Sequence, residues 1–166
     1  YSVLERLAGS GWIRKGNILL DYGCGKGRVG LFLSCQTRCR SIGVEYDPRI
    51  YEIALENQSS CVSSGRSSFV LANAEHYAVP SSVDRVYFFN PFSLELLQKV
   101  MARILDSYYK HPRSILLFFY YPSDSSLSYL TSVPEMAFFD EIPCGDLFPG
   151  NDPRETIMIF ELPYPM

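Results

Sequence analysis

A glycine-rich loop that begins with a carboxylate is the clearest candidate for ligand chemistry in the sequence. Gly23, Gly25 and Gly27 alternate with other residues, and Asp21 stands two positions before the first of them. Glycines let the backbone approach a ligand closely and adopt torsions that side chains forbid. Phosphate-binding loops rely on bare amide donors and positive potential, whereas Asp21 adds negative charge beside the loop. The pattern therefore favours a cationic or amine-bearing ligand.

Strand-like and helix-like segments alternate around this loop. Ser2 and Glu5 predict a capping box for a first helix, and residues 28–36 predict a helix directly after the glycines. The other predicted elements are strands at residues 17–22, 41–45, 67–71, 83–89, 114–121, 136–142 and 155–162, and helices that begin near Asp47, Ser93 and Asp124. The last two strands have no helix between them, so they predict a hairpin.

This order of elements predicts an α/β fold of the Rossmann-like kind. We expect a three-layer α-β-α sandwich around a seven-stranded, mostly parallel sheet with an antiparallel C-terminal hairpin. In such sheets the ligand binds at the carboxyl ends of the strands. Asp21 is the next-to-last residue of the first predicted strand, Glu45 ends the second, and Asn73 follows the third. These side chains are therefore expected at one edge of the sheet.

The segment Asp21-Tyr22-Gly23-Cys24-Gly25-Lys26-Gly27 resembles the first motif of the class I S-adenosylmethionine-dependent methyltransferases, an acidic residue followed by three alternating glycines. The resemblance extends to Glu45, at the family's acidic ribose-binding position. It implies S-adenosylmethionine as cofactor, with Asp21 and the glycines at its methionine end. It also implies that Tyr46 packs on the adenine face and that the Asn73-Ala74 pair meets the adenine edge, where the family often has an aspartate.

A second resemblance concerns the methyl acceptor. Asn90-Pro91-Phe92 is similar to the Asn/Asp-Pro-Pro-Tyr/Phe motif of methyltransferases that act on amino groups, with one proline missing. It implies that Asn90, Pro91 and Phe92 form the catalytic set and that the acceptor atom is a nitrogen. The acceptor is expected to be a protein side chain, a nucleobase or a small molecule. A narrower likeness to the non-SET histone lysine methyltransferases rests on few positions.

Two other functions stay open from the sequence. The span from Gly25 to Gly30 also fits the dinucleotide pattern GxGxxG, and Glu45 lies 20 residues after Gly25, which favours an NAD(P)-dependent oxidoreductase. However, this GxGxxG match begins two residues too far after the end of the first predicted strand, and it gives Asp21 no role. A non-catalytic nucleotide-binding or interaction module is the remaining alternative.

Composition limits the class of protein further. The 166 residues, with a formal net charge of −3, predict one domain spanning residues 1–166, without a strong general affinity for nucleic acid phosphates. The chain starts at Tyr1, so a missing N-terminal segment stays open. The apolar run at 115–121 is far shorter than the roughly 20 residues of a membrane span. Five cysteines without a CxxC pair favour reduced thiols, a cytoplasmic location and no metal site.

Other residues near the predicted site are weaker candidates. His76 follows the third strand, but a lone histidine in a loop is more often solvated than catalytic. Tyr120 and Tyr121 belong to a run that is mostly core, but they reach the carboxyl end of the fifth strand, where they are also candidates to line the acceptor site. The long linker at residues 143–154 belongs to the same edge and is either a substrate lid or a plain loop. The segment 111–113 lies at the opposite edge, which favours a structural role.

Overall fold

The computed structural model describes residues 1–62, 64–89 and 92–165. Its elements, in chain order, are α1 (Ser2–Gly9), β1 (Ile18–Tyr22), α2 (Arg28–Thr37), β2 (Arg40–Glu45), α3 (Pro48–Ser59), β3 (Ser67–Leu71), β4 (Arg85–Phe89), α4 (Leu94–Lys110), β5 (Ile115–Tyr120), α5 (Asp124–Ser132), β6 (Ala137–Pro143) and β7 (Thr156–Leu162). Short 3-10 turns precede β3, follow it and follow β6.

The seven strands form one sheet in the order β3-β2-β1-β4-β5-β7-β6. The pairs β1–β2, β2–β3 and β4–β5 are parallel, whereas β7 runs antiparallel to both β5 and β6. The predicted α/β fold is therefore confirmed, including the antiparallel C-terminal hairpin. By its contacts the chain divides into two compact units, Tyr1–Tyr77 and Ala78–Met166.

In the first unit, small polar residues let α2 pack closely on the sheet. A β-carbon on Gly30 would lie 2.9 Å from the Ser41 hydroxyl, so glycine is needed at this contact. Beneath it, the buried hydroxyls of Ser34, Ser41 and Ser67 form a closed ring of hydrogen bonds of 2.9–3.2 Å. Each hydroxyl in the ring donates once and accepts once, which offsets the cost of burying it.

The three helices of this unit start differently: a side chain caps α3, whereas α2 begins after Gly27 without a side-chain cap. The Asp47 side chain accepts from the Arg49 N–H at the start of α3, and Pro48 occupies the first helical position, as predicted. The predicted capping box of Ser2 and Glu5 is wrong. Helix α1 already includes Ser2, its N-cap is Tyr1, and no side chain caps it.

In the second unit, β5 is the central apolar strand. Residues 115–119 are all buried, as expected for a strand covered on both faces. Helix α4 begins after Ser93, whose hydroxyl accepts from the Leu96 N–H, and buries its apolar face. Arg113 donates to the carbonyls of Val83, Pro80 and other residues, which makes the 111–113 segment structural, as predicted.

No candidate for a membrane span emerges from the part of the chain that the structure describes, because each of its helices is too short or too polar.

Candidate functional site

The glycine-rich loop adopts a backbone that requires glycine. The φ angles of Gly23, Gly25 and Gly27 are 63°, 57° and 81°, all in the left-handed region. A β-carbon at Gly27 would also lie 2.5 Å from the ring of Phe69, so this position is restricted by packing as well. Gly27 is the N-cap of α2, so the loop leads directly from β1 into that helix.

Asp21 is the next-to-last residue of strand β1, just before this loop, and is almost completely buried, with 4% of its surface exposed. Burial raises the pKa of its carboxyl to about 8, and the negative charge of Glu45 adds to the shift. Removal of an ionised carboxylate from water is costly unless a cation or several donors compensate. A positively charged ligand beside Asp21 would supply that compensation.

Glu45 ends β2, the strand next to β1, and its carboxylate joins two loops. One oxygen, Oε1, accepts from the Gly25 N–H at 2.9 Å. The other, Oε2, accepts from the N–H groups of Tyr46 and Asp47 at 3.0 and 2.9 Å. A carboxylate offers about four acceptor positions. Three of them are therefore used by the protein, and one position remains on Oε1, on the side of the glycine-rich loop.

The residues expected around an adenine lie next to Glu45 in the sheet. Tyr46 has 73% of its surface exposed, so its ring is available for packing. Strand β3 pairs with β2, and Asn73 follows β3 as the N-cap of a short 3-10 turn, Ala74–His76. The Asn73 side-chain oxygen already accepts from the Glu75 N–H at 3.1 Å. Ala74 is half-buried within the same turn.

His76, the weak histidine candidate, lies in this turn, where it is exposed and pairs with Glu75 at 3.2 Å. The pairing gives His76 a local partner on the surface. Nothing in these contacts assigns it to the site.

Of the three predicted catalytic residues, the structure describes Phe92. Asn90 and Pro91 lie outside the described residues. Phe92 is half-buried, and its ring meets that of Phe88 edge to face, with 5.8 Å between the centroids. Phe92 lines a small aromatic cleft in the second unit that also includes Phe89 and Tyr120.

The linker at residues 143–154 is held against the end of β5. The Tyr120 hydroxyl donates to Glu155, and the Tyr121 hydroxyl donates to Asp152 at 3.1 Å. Burial raises the pKa of Tyr120, and its hydrogen bond to Glu155 raises it further. Tyr121 also has a φ of 54°, so the chain turns sharply where β5 ends. The sequence indicated the two tyrosines but not their carboxylate partners.

The cysteines contribute no evident chemistry. None of the five cysteines, all of them among the described residues, forms a disulfide, and burial together with Asp21 and Glu45 raises the pKa of Cys24 in the glycine-rich loop. A raised pKa keeps Cys24 protonated and poorly nucleophilic. Among the residues that the structure describes, no group of three or more His, Cys, Asp or Glu side chains is arranged to hold a metal ion.

A glycine-rich loop after the first strand, with acidic residues at the ends of β1 and β2 in a Rossmann-like sheet, defines a class of nucleotide-cofactor-binding proteins. The family model of the methyltransferase domain matches residues 19–113, more than half of the chain. The chain belongs to this family. Comparison with curated proteins gave no match.

Solved structures with the same fold include several methyltransferases. An RNA methyltransferase from Salinibacter ruber, in complex with S-adenosyl-L-homocysteine, is 15% identical with a TM-score of 0.72, over 99% of this chain and 93% of that one. A TehB-like SAM-dependent methyltransferase from Corynebacterium glutamicum is 17% identical, with a TM-score of 0.66 over 98% and 88% of the two chains. An rRNA methylase from Streptococcus thermophilus is 13% identical, with a TM-score of 0.65 over 99% and 95%.

These findings confirm the predicted class, a class I methyltransferase that depends on S-adenosylmethionine. They favour it over the oxidoreductase and the non-catalytic module. The structure brings Asp21, Gly25 and Glu45 together at one edge of the first unit. The roles of the individual residues stay predictions.

Proposed function

We propose that this protein transfers the methyl group of S-adenosylmethionine to a nitrogen atom. The observation that carries the proposal is the pair of carboxylates at the carboxyl ends of β1 and β2. Asp21 is buried without a salt bridge among the described residues, and Glu45 is fixed by the loop amide of Gly25. Acidic side chains on both sides of a glycine-rich turn suit a nucleoside that carries positive charge at its other end, because that charge would favour the ionised form of Asp21.

The residues of the loop fit the methionine end of the cofactor. S-adenosylmethionine supplies a methyl group activated by a sulfonium, and its amino acid end carries an ammonium. Asp21 would compensate this positive charge, and the left-handed glycines Gly23, Gly25 and Gly27 leave backbone amides open to close approach. Ionised Asp21 would then be favoured in the complex, although burial disfavours it in the free protein.

The residues after β2 and β3 fit the nucleoside end. The open position on Glu45 Oε1 can accept from one ribose hydroxyl. A second hydroxyl would have to replace the Gly25 N–H at that oxygen, so ribose binding would loosen the contact between Glu45 and the loop. The exposed ring of Tyr46 offers a face for adenine, and Asn73 and Ala74 would border its edge.

The acceptor would be held by the segment that follows β4. Asn90 would accept from the amino group through its side-chain oxygen, Pro91 would restrict the backbone, and Phe92 would pack against the substrate. These residues would align the nitrogen lone pair with the methyl group, and alignment is the main requirement when the donor is already reactive. The acceptor nitrogen must be neutral to attack, so an ammonium would first have to lose its proton.

Two similar structures are named as an RNA methyltransferase and an rRNA methylase. Their names support a nucleobase among the possible acceptors. We also infer a single domain over residues 1–166 and a cytoplasmic location, the latter supported by the five cysteines, none of which forms a disulfide among the described residues.

Calorimetric titration tests the proposal. S-adenosylmethionine and S-adenosylhomocysteine should both bind, and NAD should not compete with either of them. Incubation of the protein with radiolabelled methyl donor and fractionated cell extract should then label one fraction. Tight binding of NAD without binding of either adenosyl compound would contradict the proposal.

A further inference from the structure

Two side chains of the first unit fill the space over Gly43, the residue of β2 that pairs with Asp21 in the strand register. A β-carbon on Gly43 would lie 2.7 Å from a ring carbon of Phe69 and 2.8 Å from the Cys24 sulfur. Phe69 is the register partner of Gly43 on β3, so Asp21, Gly43 and Phe69 form one row across the sheet. Because residues paired in this way point to the same face, the ring and the sulfur lie on the Asp21 side of the sheet.

The same two side chains belong to a buried apolar cluster beside the glycine-rich loop. Its members include Leu31 of α2 and Ala54 of α3. The Phe69 ring also occupies the place of a side chain at Gly27, where a β-carbon would lie 2.5 Å from it. One ring therefore supports the start of α2 and covers the middle of the β2 strand. Only glycine at positions 27 and 43 leaves room for this arrangement.

The surroundings of Asp21 do not favour its ionised form. Among the described residues it forms no salt bridge, and the titratable groups that interact with its charge are the Glu45 carboxyl from β2 and the Cys24 thiol from the loop. Glu45 adds negative charge, and burial keeps the thiol protonated, so neither group stabilises a carboxylate at Asp21. The cluster contributes apolar side chains from α2, α3 and β3. A carboxyl in such surroundings keeps its proton as long as water is excluded.

We propose that Phe69 and Cys24 are positioning residues of the cofactor site, which close the space over Gly43 and keep water from the Asp21 carboxyl before the cofactor binds. This inference rests on the proposed function and specifies how the protein prepares Asp21 for a cationic ligand. When the ammonium of the cofactor comes to lie beside Asp21, the carboxyl releases its proton to the solvent. The negative charge therefore forms together with the positive charge that compensates it, and a ligand without positive charge leaves the carboxyl neutral.

Carboxyl-carbon NMR of the free protein, carrying isotope-labelled aspartate, tests the inference without any ligand. The Asp21 signal, assigned by its loss in Asp21→Asn, should titrate in the wild type with a midpoint at about pH 8. Phe69→Val keeps an apolar side chain that suits a strand but removes the ring from Gly43, so water can enter. The midpoint should then fall by about one pH unit or more, because weaker desolvation favours the ionised form. Cys24→Ser places a hydroxyl donor in the same wall and should also lower the midpoint.

Phe32→Val provides the matched control, because Phe32 is a half-buried phenylalanine of the same unit whose ring packs on Tyr1, with 5.4 Å between the centroids. It should leave the Asp21 midpoint at the wild-type value. A merely structural role of Phe69 would lower the free energy of unfolding of Phe69→Val without moving that midpoint. Calorimetry in buffers of different ionisation enthalpy then measures the effect on binding. Proton release with S-adenosylmethionine at pH 7 should fall in Phe69→Val to roughly half of the wild-type value or less.

Two results would overturn the inference. They are an unshifted Asp21 midpoint in a folded Phe69→Val or Cys24→Ser protein, and a wild-type midpoint below about pH 5, near the ordinary aspartate value. Cys24→Ser exchanges a single atom, so it tests the inference even if Phe69→Val does not fold. In both cases the proposed function still stands if S-adenosylmethionine binds and its methyl group is transferred. Failure of the wild type to bind S-adenosylmethionine would instead refute the proposed function, and with it the role of the two side chains in cofactor binding.

Discussion

Replacement of Asp21 by asparagine should stabilise the free protein and weaken cofactor binding at the same time. The wild-type carboxyl is buried, and its pKa in the folded state, about 8, lies well above the ordinary aspartate value of 3.8. The folded state therefore holds a proton that the unfolded chain has already lost over this pH range. The stability that this group contributes is complete below about pH 4 and is lost as the pH rises toward 8.

The magnitude follows from the two pKa values. Between pH 3.8, the ordinary aspartate pKa, and about pH 8, the free energy of unfolding of the wild type should fall by about 1.4 kcal/mol per pH unit relative to Asp21→Asn. The accumulated difference at pH 7 is on the order of 4 kcal/mol. The amide has nearly the shape of the carboxyl but does not titrate, so it should show no such slope.

Urea denaturation of both proteins at pH 5, 6, 7 and 8 measures this slope. Asp47→Asn is the control, because hydrogen bonds from Arg49 lower the pKa of this exposed carboxyl, and its stabilising effect is lost only as the pH falls below about 4. The free energy of unfolding of Asp47→Asn should therefore change with pH as that of the wild type does over the same range.

Calorimetry at pH 7 should show S-adenosylmethionine affinity reduced roughly 10- to 100-fold in Asp21→Asn, as expected for a lost hydrogen bond to a charged group. Parallel stability curves for wild type and Asp21→Asn, or equal affinity, would refute the reasoning.

Three further substitutions test the fold and the site. The Glu45 carboxylate accepts from three backbone N–H groups, whereas the amide in Glu45→Gln has one oxygen to accept them. The affinity for S-adenosylhomocysteine, measured by calorimetry, should therefore fall roughly tenfold or more. Unchanged affinity would show that Glu45 is not part of the site. Gly27→Ala adds both a clash with Phe69 and strain at positive φ, so it should lower the free energy of unfolding by about 2–4 kcal/mol in urea, whereas Gly16→Ala, which meets open space, should have little effect. Arg113→Met removes the donor for several backbone carbonyls, so it should lower the free energy of unfolding by about 2–4 kcal/mol in the same assay without changing cofactor affinity. A decrease of less than about 1 kcal/mol would contradict the structural role of Arg113.

The elements with strong local patterns could be predicted from the sequence. Asp47-Pro48 and Ser93 identified the starts of α3 and α4, because capping depends on the side chain at the cap and a few residues after it. The unbroken apolar run at residues 115–119 identified the central strand. The start of α1 was misplaced by one residue, since Ser2 is compatible both with a cap and with the first turn of a helix.

The candidate site could be predicted in position but not in detail. The ends of β1 and β2 place Asp21 and Glu45 at one edge, because adjacent parallel strands end together. The burial of Asp21 and the use of both Glu45 oxygens by backbone amides depend on how the loops fold over the strand ends. The hydrogen bond from the Tyr120 hydroxyl to Glu155 also could not be predicted, because it joins residues 35 positions apart in the sequence.

Calorimetric titration of S-adenosylmethionine at pH 7, in buffers of different ionisation enthalpy, tests the central claim most directly. If the cationic end of the cofactor binds beside Asp21, the carboxyl must lose its proton on binding, and net release on the order of half a proton or more is predicted. Binding without proton release, or no binding at all, would contradict the claim that Asp21 and Glu45 hold the two ends of the cofactor.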